Sequence, residues 1–404
     1  MDESLRSSDL TPTEVRPVVV AFQRFGPYHR ARLSAAADRM PVVGLELGTI
    51  DEYAWKYEPA PKQVEITTAF PGENPDLVSP SRFSTTIRAI LGEIGPSAIA
   101  VPGWGQRSAL SILRIAKRCG IPTVLMSDST IQDTRRYAVK ELIKSKIVQY
   151  YDSALVAGSP QKEYLCSLGF APERIFLGYN VVDNAHFESA AVNSGYFKKR
   201  EFRRSFLVVS RFIKRKNLDT LVIAFIRYAA SSESNDWSLR IIGDGPERLS
   251  LERLIRSSAY ADRIRLDGFL QYEELPLCYA AAGCFILPSL SDQWGLVVNE
   301  AMASGLPVLV SERCGCAIDL VKEGLNGFTF DPTDVEQLAK LMARISSNSF
   351  DIERLGEASR RCIANWNLDR FVLGLESAVR AVDVAQSQRF GILGDFALSV
   401  LARR

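Results

Sequence analysis

PSLSDQWGLVVNEAMASGLPVLVSE (288–312) carries the clearest architectural signal in the chain. It continues an apolar run, CFILPS (284–289), crosses a polar loop and enters a helix-period segment at Gly295. It leaves through Gly305-Leu306-Pro307 into a second apolar run, PVLVSE (307–312). Strand, loop, helix, strand is one βαβ unit of a parallel sheet. In such sheets ligands gather beyond the carboxyl ends of the strands. The first turn, Gly295, Leu296 and Val297, offers unpaired N–H groups and the positive end of a helix dipole, which suits a diphosphate. Asp292 in the loop and Glu300, eight positions later on the helix, then flank the phosphates as acceptors for sugar hydroxyls. The plainer reading of such a pair is a helix-start acid and a solvated helix residue.

Outward from this unit the same theme repeats. SFLVVSRF (205–212), WSLRIIGDG (237–245) and RIRLDGF (263–269) are further strands of the same half. RPVVVAF (16–22), SAIAVPGW (97–104), IPTVLMS (121–127), SALVAG (153–158) and RIFLGYN (174–180) form a separate series upstream. Aliphatic and β-branched runs without polar alternation fit parallel strands covered on both faces. Between them lie amphipathic stretches such as 107–120, where Leu110, Leu113, Ile115 and Ala116 keep a helical stripe. Two successive βαβ series predict an α/β chain of two Rossmann-like domains that face each other across a cleft. The polar, basic, weakly periodic stretch at about 187–203 divides them. The expected organisation is a disordered leader (1–15), an acceptor-side domain (16–190), a nucleotide-sugar domain (203–370) and a helical tail (371–404) that packs back on the first domain.

Two further features of the second half carry chemistry. SRFIKRKNLDTL (210–221) places Arg211 and Lys216 in a strand-to-helix loop, where a planar fork and a mobile point charge together can neutralise a pyrophosphate. Lys214 and Arg215 beside them read as solvated charges, and a wholly solvated basic loop is the bland alternative. IIGDGPERL (241–249) ends a strand in a glycine turn, which alone is weak.

In order and spacing, Arg211 and Lys216, Gly243 to Pro246, Pro288-Ser289, Asp292 to Glu300, and Gly305 to Pro307 resemble the nucleotide-sugar-binding domain of family-4 glycosyltransferases over about 203–345. NVVDNAHF (180–187) is similar to the segment that ends their first domain. The resemblance implies the GT-B architecture and transfer with retention at the anomeric carbon, a donor phosphate oxygen assisting deprotonation of the acceptor. It implies that Glu300 accepts from ribose hydroxyls, that Asp292 holds hydroxyls of the transferred sugar, and that Arg211 and Lys216 stabilise the leaving diphosphate. Backbone groups at Gly268, Phe269 and Leu270 would meet the base. The chain departs from the family pattern at Asp292, where Glu is usual, which retracts the carboxylate by one methylene. No D-x-D occurs anywhere in the chain, so no metal and no cofactor are expected beyond a nucleoside-diphosphate sugar, UDP or GDP, as donor.

The first half is less explicit. RFGPYHRARLSAA (24–36) turns at Gly26 into a helix, where relatives often carry a Gly-Gly loop that closes on the donor phosphates; here backbone approach is available at Gly26 only. His29 beside it either faces the cleft or is an ordinary surface residue. VLMSDST (124–130) sets Ser127 and Asp128 where related enzymes often have a histidine. Asp128 there either orients the acceptor or acts as a base, or else caps the next helix. Trp104, at a third strand end, either stacks on a sugar ring or packs between domains. DTRRYAVKELIKSKIVQYY (133–151) is basic and amphipathic, with Arg135, Arg136, Lys140, Lys144 and Lys146. It reads either as a surface for an anionic membrane or as a solvated helix face.

Bulk properties bound the remaining options. A formal charge of +2 among 404 residues gives no argument for nucleic acid. No apolar run approaches a membrane span, and the polar first residues lack the apolar core of a secretory signal. Seven scattered cysteines and two histidines form neither a disulfide framework nor a zinc pattern. The expectation is a cytoplasmic enzyme, peripheral at the inner face of the membrane if 133–151 docks there. It would transfer a hexose-type unit to a saccharide or lipid-linked acceptor, in surface polysaccharide or glycoconjugate synthesis. The alternatives are a non-catalytic nucleotide-sugar sensor or partner subunit, and an epimerase or phosphorylase on the same plan. A dehydrogenase is disfavoured because the first strand turn, FQRFGPYH, is not G-x-G-x-x-G.

Overall fold

The computed structural model describes residues 16–49, 55, 64–133, 136–193, 204–231 and 236–382, with only the backbone of 190–193. The expected leader, most of the basic linker, Arg135 and the tail beyond 382 lie outside the described residues.

The first domain runs β1 (Val18–Phe22), α1 (Pro27–Ala37), β2 (Val42–Gly48), β3 (Ile66–Phe70), α2 (Pro80–Ile94), β4 (Ala98–Pro102), α3 (Arg107–Arg118), β5 (Thr123–Ser127), α4 (Ala138–Val148), β6 (Ser153–Val156), α5 (Ser159–Ser167), β7 (Ile175–Leu177) and α6 (Asn184–Asn193). Its seven strands lie in the order β3-β2-β1-β4-β5-β6-β7, and every pairing is parallel. β2 and β3 went unread in the sequence. β2 carries a charged residue, Glu46, which is buried and accepts from the Phe25 amide and the Thr68 hydroxyl.

The second domain runs β8 (Ser205–Val209), α7 (Leu218–Ala230), β9 (Ser238–Ile242), α8 (Arg248–Arg256), β10 (Ile264–Leu266), α9 (Leu275–Ala280), β11 (Cys284–Leu287), α10 (Leu296–Ala303), β12 (Val308–Ser311), α11 (Ala317–Leu320), β13 (Gly327–Phe330), α12 (Val335–Ser346) and α13 (Ile352–Ile363). Its sheet, also wholly parallel, has the order β10-β9-β8-β11-β12-β13. The last helix, α14 (Leu368–Arg380), returns to the first domain. It buries Phe371, Val372, Leu375 and Ala378 in the same core as Val18, Val20, Ala100 and Leu155. Ser153 Oγ donates to its Ala378 carbonyl at 2.7 Å.

Two doubly wound sheets with helices on both faces make the expected α/β, GT-B arrangement. The order of each sheet explains where chemistry gathers. Strand order reverses between β1 and β4 in the first sheet and between β8 and β11 in the second. At such a switch point the two outgoing loops diverge to opposite faces and leave a crevice. No helix among the described residues is long and apolar enough to cross a membrane.

Candidate functional site

The loop after β11 turns into α10 through Gly295, whose φ is +102°. Only glycine tolerates that backbone easily, and a Cβ there would stand 2.8 Å from Leu287 Cδ2. Gly295 caps the helix that carries Leu296, Val297 and Glu300, so this turn sets the aim of the helix N-terminus. Gly295→Ala is therefore expected to cost roughly 2–4 kcal/mol, read as a lower midpoint in urea with an unchanged slope. An unmoved midpoint would mean that the turn relaxes freely.

Because β8 and β11 are neighbours, their two loops meet. Lys216 Nζ lies 2.5 Å from Asp292 Oδ2, with side chains 14% and 12% exposed. Ser289 Oγ reaches the same oxygen at 3.4 Å. The two charges to which the sequence assigned separate partners are thus bonded to each other. Arg211 is exposed on the same β8 loop. That loop is braced by the glycine turn of β9: the Phe212 amide donates to the Asp244 carbonyl at 2.8 Å. Gly243 (φ +136°) and Gly245 (φ +154°) approach the Ser210 and Phe212 backbone closely enough to exclude a Cβ. The G-x-G element here shapes the cationic loop.

Glu300 is fully buried, which overturns the solvated-helix alternative. Its carboxylate accepts from Tyr279 Oη at 2.7 Å within its own domain. It also accepts from Tyr28 Oη at 2.8 Å, from α1 of the other domain. Burial pushes its carboxyl up to about 7 against the pull of both phenols. Tyr28 stands edge-on to Trp55 and Tyr272, at 6.3 and 5.3 Å between ring centres. Trp55 in turn meets Phe269 at 5.0 Å. Gly268 and Phe269 follow β10 with Leu270 half-buried behind them, and Gly268 accepts from the Gly243 amide at 3.2 Å. The tyrosines and Trp55 escaped the sequence reading. A buried carboxylate implies donors, but nothing in the linear chain says that one stands 272 positions upstream.

On the first domain, Ser127 ends β5 and accepts from the Ser129 amide. Asp128 follows it and caps no helix; α4 begins ten residues later, at Ala138. Burial, then the charges of Asp133 and Asp292, push its carboxyl up to about 6, while a bond from Asn180 opposes the shift. Asp128 and Asp292, from opposite domains, thus lie near enough for their charges to repel. Gln293 ties these loops together: its Nε2 donates to Asp133 Oδ2 at 3.2 Å and to Ser129 Oγ at 3.4 Å. Its carbonyl accepts from Gln161 Nε2 at 2.6 Å. Asp319 adds a second tie through the Ser159 hydroxyl and amide.

Two expectations need correction. Trp104 neither stacks in the cleft nor packs between domains; it is buried in the core of the first domain, 6.4 Å from Tyr164. An indole at a strand end cannot be told from an apolar core residue by sequence alone. Of the two readings of His29, the ordinary surface residue falls, because the ring is largely covered. It stacks on Phe22 at 4.0 Å, and burial followed by the charge of Arg32 pushes its imidazole down to about 3. Gly26 caps α1 with open space around it.

Comparison with known proteins shows what this chain is similar to. Residues 195–363 match the family of glycosyl transferases group 1. Sulfoquinovosyl transferase SQD2 of Arabidopsis thaliana is 38% identical over 125 residues, 30% of this chain and 24% of that protein. Alpha-monoglucosyldiacylglycerol synthase of Acholeplasma laidlawii is 27% identical over 274 residues, 61% of this chain and 65% of that protein. Each match spans less than two thirds of the relative's own length. The structure of Anabaena Alr3699/HepE in complex with UDP and glucose superposes with a TM-score of 0.68, at 15% identity, over 89% of this chain and 98% of that one.

Proposed function

We propose that this chain, whose residues 195–363 match the group 1 glycosyl transferases, moves a hexose-type sugar from a nucleoside-diphosphate donor to a saccharide or lipid-linked saccharide, with retention. One observation carries the reading: Lys216 and Asp292 meet at 2.5 Å beside the first turn of α10, the helix that also bears Glu300. Cations, helix amides and two carboxylates then line one crevice. Glu300 takes the ribose and Asp292 the transferred sugar. Arg211, Lys216 and the amides of Gly295, Leu296 and Val297 take the diphosphate, with UDP or GDP as its nucleotide. Gly268, Phe269 and Leu270 border the base, and Gly26 lets the first domain approach the phosphates.

In the reaction, the bond from the anomeric carbon to the phosphate oxygen breaks as the acceptor hydroxyl attacks from the same face. The hydroxyl proton passes to the departing phosphate oxygen, and the charge on the diphosphate is held by Lys216 and Arg211. Fixed cations do this work without a metal. Asp128 orients the acceptor hydroxyl, with Ser127 shaping the strand end beneath it. Closure of the two domains keeps water from the donor.

The acceptor side extends to α4. Its exposed face combines Tyr137, Val139 and Leu142 with Lys140 and Lys146, an apolar strip rimmed by cations. That composition suits an anionic membrane surface, where a lipid-linked acceptor resides, at the inner face of the cell membrane. The name of the Acholeplasma relative, which includes a diacylglycerol, is in keeping with it.

Thermal shifts with UDP-, GDP-, ADP- and dTDP-sugars, with and without Mg²⁺, test the donor site. A ligand at 100 times its Kd stabilises by about 2.7 kcal/mol, and the shift is expected for one nucleotide, independent of Mg²⁺ and lost in Arg211→Ala. Product analysis with and without acceptor, free and on anionic vesicles, tests the rest. Binding without transfer to any acceptor would favour a sensor or partner subunit, and sugar interconversion without acceptor an epimerase. No shift with any donor would refute the donor site.

A further inference from the structure

The carboxylate of Glu300 has no surface open to solvent, so no ligand hydroxyl reaches it until a neighbour moves. Its two bonded neighbours differ in their freedom. Tyr279 is fully buried between Phe285 of the second sheet and Phe187 of α6, which shares that core, and cannot leave without repacking it. Tyr28 comes from the other domain, is only partly buried, and sits in the first turn of α1 behind Gly26, where an added Cβ would meet nothing within 4 Å. Its contacts are rim contacts, edge-on to Tyr272 and to Trp55, and Trp55 reaches Phe269 where the base is expected. A phenol O–H on a carboxylate also has the donor chemistry of a sugar hydroxyl.

We propose that Tyr28 is a self-supplied gate on the donor site: its phenol stands on Glu300 in the place of a ribose hydroxyl, and the donor binds by displacing it. The inference rests on the ribose role of Glu300 given above. The Tyr28 phenol and the nucleotide compete for one carboxylate. Loss of donor lets the phenol return, so the empty enzyme keeps its buried carboxylate paired. The cost of breaking a charge-assisted bond is charged against donor affinity, and removing that bond should raise the affinity.

The test is equilibrium titration of the full chain with UDP and with GDP, for the wild type, Tyr28→Phe, Tyr28→Leu and Tyr279→Phe. Tyr28→Phe and Tyr28→Leu, which keep apolar bulk beside Trp55 and Tyr272 but lack the hydroxyl, are expected to bind the preferred nucleotide roughly tenfold more tightly. Tyr279→Phe is expected not to tighten it. A structural or donor-binding role for Tyr28 predicts weaker or equal affinity, so unchanged or weaker binding in both Tyr28 variants overturns the gate. Equal tightening by Tyr279→Phe overturns it too. If the wild type and every variant bind neither nucleotide, the ribose role of Glu300 falls first and the gate falls with it.

Discussion

Lys216→Ala is expected to lower kcat by about 10²–10³, with a much smaller change in the KM for the acceptor. A preorganised donor aimed at charge that develops in the transition state is worth about that factor. Lys216 is held by Asp292 at 2.5 Å, at the switch point of the second sheet, so its charge is in place before the donor arrives. The same pairing complicates the readout, because losing the lysine leaves Asp292 with Ser289 Oγ at 3.4 Å as its side-chain partner. The carboxylate is not fully buried, and the stability cost should stay at about 1–3 kcal/mol. Lys216→Arg keeps the charge but trades a compact ammonium for a planar fork, and partial recovery of kcat is expected. Steady-state kinetics on the two variants, with the Lys216→Ala/Asp292→Ala double variant to close the cycle, separate charge stabilisation from positioning of Asp292. A kcat within threefold of wild type in Lys216→Ala would remove the lysine from the chemistry.

The second large effect is a pH dependence of stability that Glu300→Gln removes. Burial raises the Glu300 carboxyl from its ordinary 4.5 to about 7, although two phenols donate to it. A folded value above the unfolded one means that the unfolded chain gives up the proton first as pH rises. This group's stabilisation is complete below about pH 4.5 and is lost as pH climbs to about 7, some 3 kcal/mol in all. Asp128, raised from 3.8 to about 6, acts with the same sign over a lower window. Urea melts at pH 5, 6, 7 and 8 should therefore show the wild type losing stability across the series. Glu300→Gln should lose clearly less, with the Asp128 share remaining. The amide can still accept from one phenol but no longer carries charge, so nucleotide affinity should fall by about tenfold. Equal slopes for the two proteins would show that Glu300 does not titrate in this range.

How far the sequence carried the fold depended on periodicity. Uninterrupted aliphatic runs such as CFIL and TVLMS identified buried parallel strands because nothing else in a soluble chain needs so many apolar residues in a row. β2 escaped because Glu46 breaks its run, and GFTF of β13 because none of its four residues is aliphatic. Likewise, Asp292 and Glu300 were legible from their spacing around Gly295, whereas Tyr28, Tyr279 and Gln293 had no local mark. Trp104 was misread because an aromatic at a strand end has the same local signature whether it faces a cleft or a core.

Local chemistry along the chain specifies the two βαβ series, the helix that opens at Gly295, and the types of charge offered at the strand ends. These follow from short-range chemistry, from the reach of side chains along one strand or helix and from a backbone angle that glycine alone accepts easily. Long-range packing set the bond of Lys216 to Asp292, brought Asp128 within reach of the Asp292 charge, and put the Tyr28 phenol on Glu300. Each of these joins residues from different strand ends, and two of them join different domains. Their energies come from burial and from the low dielectric created when the sheets stack and the domains meet, which no single stretch of chain contains.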